Sequence, residues 1–95
     1  MIIGKKLREL RESKGLLLRQ VAAELEVDTA YISKMERGEK NIKKEYVIRL
    51  AKLYAFDENE LISLWLADRV FDIIRDDSSG ARALEIAKDY YHKTI

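Results

Sequence analysis

The sequence contains no cysteine and no proline, and only 4 of its 95 residues are glycine. Without cysteine the chain forms no disulfide, and it offers neither a thiolate nucleophile nor a cysteine-ligated zinc or iron–sulfur site. Proline and glycine interrupt helices most strongly, so their scarcity favours helix throughout. No segment alternates apolar and polar residues over the length of a convincing strand. The sequence therefore predicts an all-α protein of five to six helices.

Long apolar runs are absent as well. The longest uninterrupted apolar stretch covers residues 64–67, whereas a membrane-spanning helix needs about 20 residues. The amino-terminal residues lack the long apolar segment of a secretory signal, and the absence of cysteine suits a reducing compartment. We therefore expect a cytoplasmic protein with no membrane partner.

The residue sets that carry catalysis or bind metals are also missing. His92 is the only histidine, and it has no cysteine or second histidine with which to share a metal ion. Ser78 and Ser79 have no histidine base nearby in sequence and better suit a helix cap. The acidic residues at 57–60 suit the positive end of a helix dipole better than paired-carboxylate catalysis. The sequence predicts no enzyme, no cofactor, no metal and no small-molecule effector.

Charge is divided unevenly along the chain. Residues 1–56 hold 13 Lys and Arg against 8 Asp and Glu, whereas residues 57–95 hold 5 against 9. The net charge of +1 for the whole chain conceals this division. A basic part suits a polyanion such as DNA, which would repel the acidic part. We therefore predict a functional boundary near residue 56.

Apolar residues spaced three and four apart predict where the helices lie. The predicted helices cover about residues 3–14, 18–25, 29–37, 44–55, 57–75 and a last segment that ends near 93. Gly15 and Gly38 stand where the first and third helices end, a position that favours left-handed backbone. Asp28 is expected to cap the third helix, and Asp57 the fifth.

The second and third predicted helices are joined by a three-residue turn, which is the arrangement of a helix-turn-helix. A more specific pattern is carried by Gly15, Val21-Ala22, Leu25-Glu26-Val27, Tyr31-Ile32-Ser33-Lys34-Met35-Glu36-Arg37-Gly38, Asn41, the segment 50–53 and the segment 57–61. Over about residues 5–62 the chain resembles the phage-repressor (Cro/C1-type, or Xre-like) family of helix-turn-helix regulators. The resemblance implies a lambda-repressor-like fold, with a DNA-binding domain in residues 1–56 and a carboxyl-terminal helical extension in residues 57–95.

The resemblance also implies roles for individual residues in binding double-stranded DNA. Thr29, Ala30 and Lys34 would face the bases, and Asp28 would cap the recognition helix. The residues implied to lie beside the DNA backbone or the groove edge are Arg19, Tyr31, Ser33, Arg37, Lys40, Asn41 and Lys43. Arg11 and Glu36 match positions that form a partly buried, structural ion pair in the family.

Three features depart from the family pattern. Leu17-Leu18 stands where the second helix usually begins with a small polar cap and a glutamine. Glu26 occupies a turn position where glycine is usual, which predicts a positive φ. Thr29 and Ala30 are small, so they suit contact with a thymine methyl group better than bidentate base contacts.

The last two helices carry more apolar surface than a helix-turn-helix core requires. Leu61, Ile62 and Trp65 fall on one side of the fifth helix, where they are free to dock on that core. The residues predicted to form a dimer interface lie elsewhere on these two helices: Leu66, Val70, Phe71, Ile73, Ile74, Leu84, Ala87, Tyr90 and Tyr91. The alternative is that the last helix folds back on the fifth within one chain.

The resemblance implies a sequence-specific transcription regulator, which we expect to bind a palindromic or near-palindromic operator as a homodimer. Phage-type repressors and controllers of restriction–modification operons are small proteins of this kind. The alternative is an antitoxin-type interaction module, whose apolar carboxyl-terminal helices would bind a partner protein. Residues 57–95 would contact the second copy in a homodimeric regulator, and they would contact the partner protein in an antitoxin-type module.

Overall fold

The chain folds into six helices and contains no strand, which confirms the all-α prediction. A computed structural model describes all residues 1–95. The helices are α1 (Ile2–Ser13), α2 (Leu18–Leu25), α3 (Thr29–Glu36), α4 (Lys44–Leu53), α5 (Glu58–Ile74) and α6 (Gly80–Thr94). No helix combines the length and the apolar character that a membrane crossing requires.

The first five helices enclose one hydrophobic core. The core holds thirteen buried residues: Ile3, Leu7, Val21, Ala22, Leu25, Ile32, Met35, Ile42, Val47, Leu50, Ala51, Tyr54 and Leu61. Residues three and four apart on each helix supply most of this set, as expected for amphipathic helices. Leu61 is fully buried, and Ile62 and Trp65 pack against the core. The predicted docking side of α5 is therefore confirmed, whereas a domain division at residue 56 stays a prediction.

Four helices end in the same way, with one residue in the left-handed region. That residue is Gly15 after α1, Glu26 after α2, Gly38 after α3 and Ala55 after α4, with φ between 51° and 75°. In each case the next N–H donates to the carbonyl five residues back, at 2.9–3.1 Å, which is the Schellman arrangement. The positive φ predicted at Glu26 is confirmed. The predicted end of α4 is two residues too late, because the sequence gives no glycine signal at Ala55.

The close approach of α1 to α3 depends on a glycine that sequence periodicity does not explain. A Cβ at Gly4 would lie 2.7 Å from the carbonyl oxygens of both Met35 and Glu36. Any larger residue would push the two helices apart. The first turn of α1 is therefore seated directly on the last turn of α3.

The two carboxyl-terminal helices meet at Gly80, where a Cβ would lie 2.6 Å from the carbonyl oxygen of Ile74. The turn between them is held by the Asp77 carboxylate, which accepts a hydrogen bond from the Ser79 N–H at 2.8 Å. The expectation that serine side chains cap α6 is wrong, because Ser79 makes no side-chain cap bond. Every residue of α6 after Gly80 is exposed, so α6 does not bury its apolar face against α5.

Candidate DNA interface

Helix α3 is anchored through one face and presents the other to solvent. Ile32 and Met35 are buried in the core, and the helix packs against both α1 and α2. The Asp28 carboxylate accepts a hydrogen bond from the Tyr31 N–H at 2.7 Å, so the predicted cap is present. This bond satisfies one of the N–H groups that a helix amino terminus leaves free. The cap thus holds the amino-terminal turn of α3 in place, and the turn remains exposed to solvent.

The outward face of α3 gathers five of the residues predicted to meet DNA. Thr29, Ala30, Lys34 and Arg37 are exposed, and Ser33 between them is half-buried. At 100° per residue these positions span about 140° of the helix surface. A face of this width, projecting from the core at a capped helix terminus, has the shape that enters a major groove.

Arg37 is held by contacts within its own chain. Its guanidinium donates hydrogen bonds to the Ser33 hydroxyl and to the Glu39 carboxylate. The bond from Arg37 lowers the pKa of Glu39, and the same bond raises the pKa of Arg37. The sequence interpretation placed Arg37 on the phosphate track but did not weigh Glu39, whose negative charge opposes a phosphate at the same place.

Tyr31 joins α3 to α4 and to the loop between them. Its ring meets the Tyr46 ring edge to face, with centroids 5.8 Å apart. The Lys40 ammonium lies 5.2 Å from the Tyr31 ring centroid, within the range of a cation–π contact. Burial is the main cause that raises the pKa of Tyr31. Tyr31 is thus half-buried between neighbours, and Lys40 stands over it.

The other residues of the expected phosphate track lie in the open. Asn41 and Lys43 are exposed in the segment between α3 and α4. Arg19 is exposed in the first turn of α2, and it takes part in none of the ion pairs. Exposed cations without a carboxylate partner are available to contact a polyanion.

The start of α2 is stabilised in an unusual way. Leu17 occupies the N-cap position and offers no side-chain acceptor. The Gln20 side-chain oxygen instead accepts a hydrogen bond from the Leu17 N–H at 2.7 Å. Gln20 therefore turns back to its own helix terminus, and Leu17 stays about half exposed beside it.

The ion pair implied for Arg11 and Glu36 is present and bidentate. Arg11 donates to the two Glu36 carboxylate oxygens at 2.8 and 3.1 Å, and also to the Leu16 carbonyl at 3.0 Å. The bonds to Glu36 raise the pKa of Arg11. The two side chains retain 13% and 6% of their exposure, so Glu36 is occupied in the fold and unavailable to a base.

The structure adds a cation that the sequence interpretation did not select. Arg8 lines a groove together with Ser33 and Arg37. Its side chain is exposed and forms an ion pair with Glu12 at 3.2 Å. The available signal was spacing, because Arg8 lies three residues before Arg11 and therefore on the same side of α1.

The residues predicted to form a dimer interface occupy the outside of α5 and α6. Leu66, Val70, Phe71, Ile73, Leu84, Tyr90 and Tyr91 are between 42% and 81% exposed, Ala87 is exposed, and Ile74 is half-buried beside Gly80. Ile86 and Ile95 add to the exposed apolar surface of α6. An exposed apolar face of this extent is typical of a surface that meets another macromolecule.

Comparison with known proteins agrees with this geometry. A family model described as a helix-turn-helix domain matches residues 2–64. The HTH-type transcriptional regulator DdrOP3 of Deinococcus deserti is 34% identical over 62 residues, which are 65% of this chain and 48% of that protein. The chain thus spans about half the length of this curated relative.

Two solved structures share the fold. The clp gene regulator ClgR from Corynebacterium glutamicum superposes with a TM-score of 0.61 at 26% identity, over 90% of this chain and 89% of the other. SinR protein in complex with SinI protein superposes with a TM-score of 0.57 over the whole of both chains, and at 18% identity this likeness concerns the fold alone. Because the family model spans well over half of its residues, the chain belongs to the helix-turn-helix domain family.

Proposed function

We propose that this protein binds a palindromic or near-palindromic operator in double-stranded DNA as a homodimer, and regulates transcription by occupying that site. Each protomer places α3 in the major groove. The observation that carries the proposal is the outward face of α3, which begins at a capped terminus and bears Thr29, Ala30 and Lys34 in the open.

Base recognition falls to the amino-terminal half of α3. Lys34 is the one long donor on this face that no carboxylate engages, and lysine suits the acceptor edge of guanine. Thr29 and Ala30 suit the methyl group of thymine. Asp28 is engaged at the helix cap, and its role is to hold the first turn rigid.

Backbone contacts surround this small reading surface. Lys40, Asn41 and Lys43 follow α3, and Arg19 lies on α2. Tyr31 and Ser33 lie at the groove edge, where Tyr31 also positions the Lys40 ammonium. Such contacts fix the register of the protein on the duplex, while the few base contacts select the sequence.

A second copy of the chain is the proposed partner of the α5–α6 surface. The single helix-turn-helix reads only a few base pairs with small side chains, whereas a dimer reads two half-sites about one helical turn apart. The apolar side of α6, around Ala87 and Tyr91, remains exposed in the monomer. Self-association of α5 and α6 would cover this surface and generate the two-fold symmetry of a palindromic site.

Phage-type repression and control of a restriction–modification operon are the roles that such a small two-fold regulator suits. The second candidate is an antitoxin-type module whose apolar α6 covers a different protein. The exposed apolar face of α6 suits both a second copy of the chain and a different protein. Light scattering of the purified chain distinguishes these two possibilities. A stable dimer supports the operator proposal, whereas a monomer at micromolar concentration favours the interaction module.

Selection of bound sequences from random double-stranded DNA tests the operator proposal directly. We expect a symmetric enriched site and an affinity that falls steeply with salt. Replacing Lys34 and Arg37 together by alanine should abolish specific binding while circular dichroism stays unchanged. The matched control is Arg82→Ala with Lys88→Ala, which removes the same charges from α6. Equal DNA binding by both double variants would contradict the assignment of α3.

A further inference from the structure

Asp68 of α5 caps a helix that lies more than sixty residues earlier in the chain. Its two carboxylate oxygens accept hydrogen bonds from the N–H groups of Ile2 and Ile3, each at 2.8 Å. It is the one charged side chain among the buried residues, at 3% exposure, and it takes part in no ion pair. The protein thus buries a carboxylate to join α5 to the amino terminus of α1.

The chemistry of this contact makes it both strong and directional. Helix α1 has no side-chain cap of its own and no acidic residue in its first turn. Its free N–H groups and the positive end of its dipole therefore match a carboxylate. Charge-assisted hydrogen bonds are about twice as strong as neutral ones. Because both oxygens are used, the contact restrains rotation of α5 as well as its distance from α1.

The contact lies on a short structural path to the recognition helix. The first turn of α1 meets Asp68 on one side, and on another side Gly4 sits against the carbonyls at the end of α3. Farther along, the Arg11–Glu36 ion pair ties α1 to α3 a second time. Helices α1 and α3 are therefore joined at two places, and Asp68 attaches α5 to α1.

Asp68 also marks the place where α5 leaves the core. Leu61 is fully buried before it, and Trp65 donates a hydrogen bond to the Ile42 carbonyl at 2.7 Å. After it, Val70, Phe71 and Ile73 are exposed. The carboxylate is the last buried contact along α5, and all but Leu66 of the surface that the proposed dimer uses lies beyond it.

We infer that Asp68 sets the angle between the helix-turn-helix and the α5–α6 dimerisation surface, and thereby selects the spacing of the two half-sites. This inference rests on the proposed dimeric operator binding. Half-sites lie about 34 Å apart, so with a lever arm of about 17 Å a tilt of about 5° at each junction changes the separation of the two recognition helices by about 3 Å, close to one base-pair step. Asp68 is a positioning residue that touches no DNA.

The test uses the full chain and a set of DNA duplexes in which two selected half-sites are separated by spacers that differ in one-base-pair steps. Wild type is expected to prefer one spacer over its neighbours by about tenfold or more, and Asp68→Asn by less than about threefold. The amide keeps one acceptor but turns a donor toward the second N–H. Affinity for a single half-site and the dimeric state should stay unchanged.

The matched control is Asp72→Asn, one turn farther along α5, where the side chain is about half exposed. It removes the same charge and should keep the spacing preference of wild type. Asp68→Glu retains the charge with a longer arm, so it should shift the preferred spacer by about one base pair rather than broaden the preference. The half-site sequence should be the same in every variant.

A folded Asp68→Asn that keeps the wild-type spacer preference would overturn the inference and leave the dimeric operator standing. Wild type that binds isolated half-sites as well as paired ones would overturn the proposed function itself, and the inference with it. Failure of both Asp68 variants to fold would also overturn the inference, because Asp68 would then determine folding rather than geometry.

Discussion

The guanidinium of Arg11 and the carboxylate of Glu36 face each other in a bidentate ion pair, with nitrogen–oxygen distances of 2.8 and 3.1 Å. The pair links the last turn of α1 to the end of α3, twenty-five residues away in sequence. Since both side chains are nearly buried, each depends on the other to offset the loss of water. The orientation of α3 is therefore coupled to the stability of the whole core.

Removing one partner of this pair should be costly, and removing both should not. We expect Glu36→Ala to lower the free energy of unfolding by about 3 kcal/mol, because it leaves a buried guanidinium without its carboxylate. The double variant Arg11→Met with Glu36→Leu should recover most of this loss, since it replaces the charges with apolar volume. Urea unfolding followed by circular dichroism measures both values. A double variant no more stable than Glu36→Ala would argue against the pair as the cause.

Local sequence signals predict most of the helices, but they do not predict contacts between residues that are distant in sequence. The spacing of Val21, Ala22 and Leu25, and the cap at Asp28, act within one or two helical turns, so α2 and α3 were predicted to within one residue. Gly4 and Asp68 act across the packed core. Their partners lie thirty or more residues away, and the spacing of apolar residues along one helix does not indicate contacts over such distances.

The candidate site shows the same division. Resemblance to the family selected the outward face of α3 and the Arg11–Glu36 pair, because those positions follow a spaced motif. It did not indicate that Glu39 engages Arg37, since two exposed side chains near a helix end adopt contacts that no motif encodes. The positive φ at Glu26 is predictable, because glycine is usual at that position of the family. The positive φ at Ala55 is not predictable, because no glycine or family pattern marks that position.

Glycine at position 26 should stabilise the protein. Glu26 has a φ of 57°, which costs a side chain about 1–2 kcal/mol relative to the right-handed region. Glu26→Gly removes this strain and adds some backbone entropy to the unfolded chain, so we expect a net gain of about 0.5–1 kcal/mol. The matched control is Glu24→Gly in the last turn of α2, which should lose about 0.5 kcal/mol. Thermal unfolding measures both changes in stability. A loss of stability in both variants would contradict backbone strain at Glu26.

Neutralising Glu39 should strengthen DNA binding. The hydrogen bond from Arg37 lowers the pKa of Glu39, so this carboxylate loses its charge at a lower pH than an ordinary glutamate does. The contribution of the pair to stability is present above the pKa of the unfolded chain, and it is lost only as the pH falls through the lower pKa of the folded protein. A substitution removes this charge without changing the pH of the other groups.

We expect Glu39→Gln to raise the affinity for the operator roughly threefold to tenfold and to steepen its salt dependence, because it releases Arg37 for a phosphate and removes a repulsive charge. Gel shifts at several salt concentrations give both quantities. Glu85→Gln is the control, since Glu85 pairs with Arg82 in an exposed ion pair on α6. An increase of the same size in the control would mean that net charge alone is responsible.

A glutamate in the middle of the apolar side of α6 should separate the proposed dimer. Ala87 is exposed in the monomer and lies between Ala83, Tyr90 and Tyr91 on that side. Ala87→Glu therefore changes little in the isolated chain but places a charge inside a self-association interface, which is costly to desolvate. We expect this variant to be monomeric by size-exclusion chromatography with light scattering, and its affinity for the two-half-site operator to fall by about 10²-fold or more as avidity is lost.

His92→Glu introduces the same side chain about 140° around the helix, and it should remain dimeric. A dimeric Ala87→Glu would place the self-association surface elsewhere, whereas two monomeric variants would point to a general effect of charge on α6.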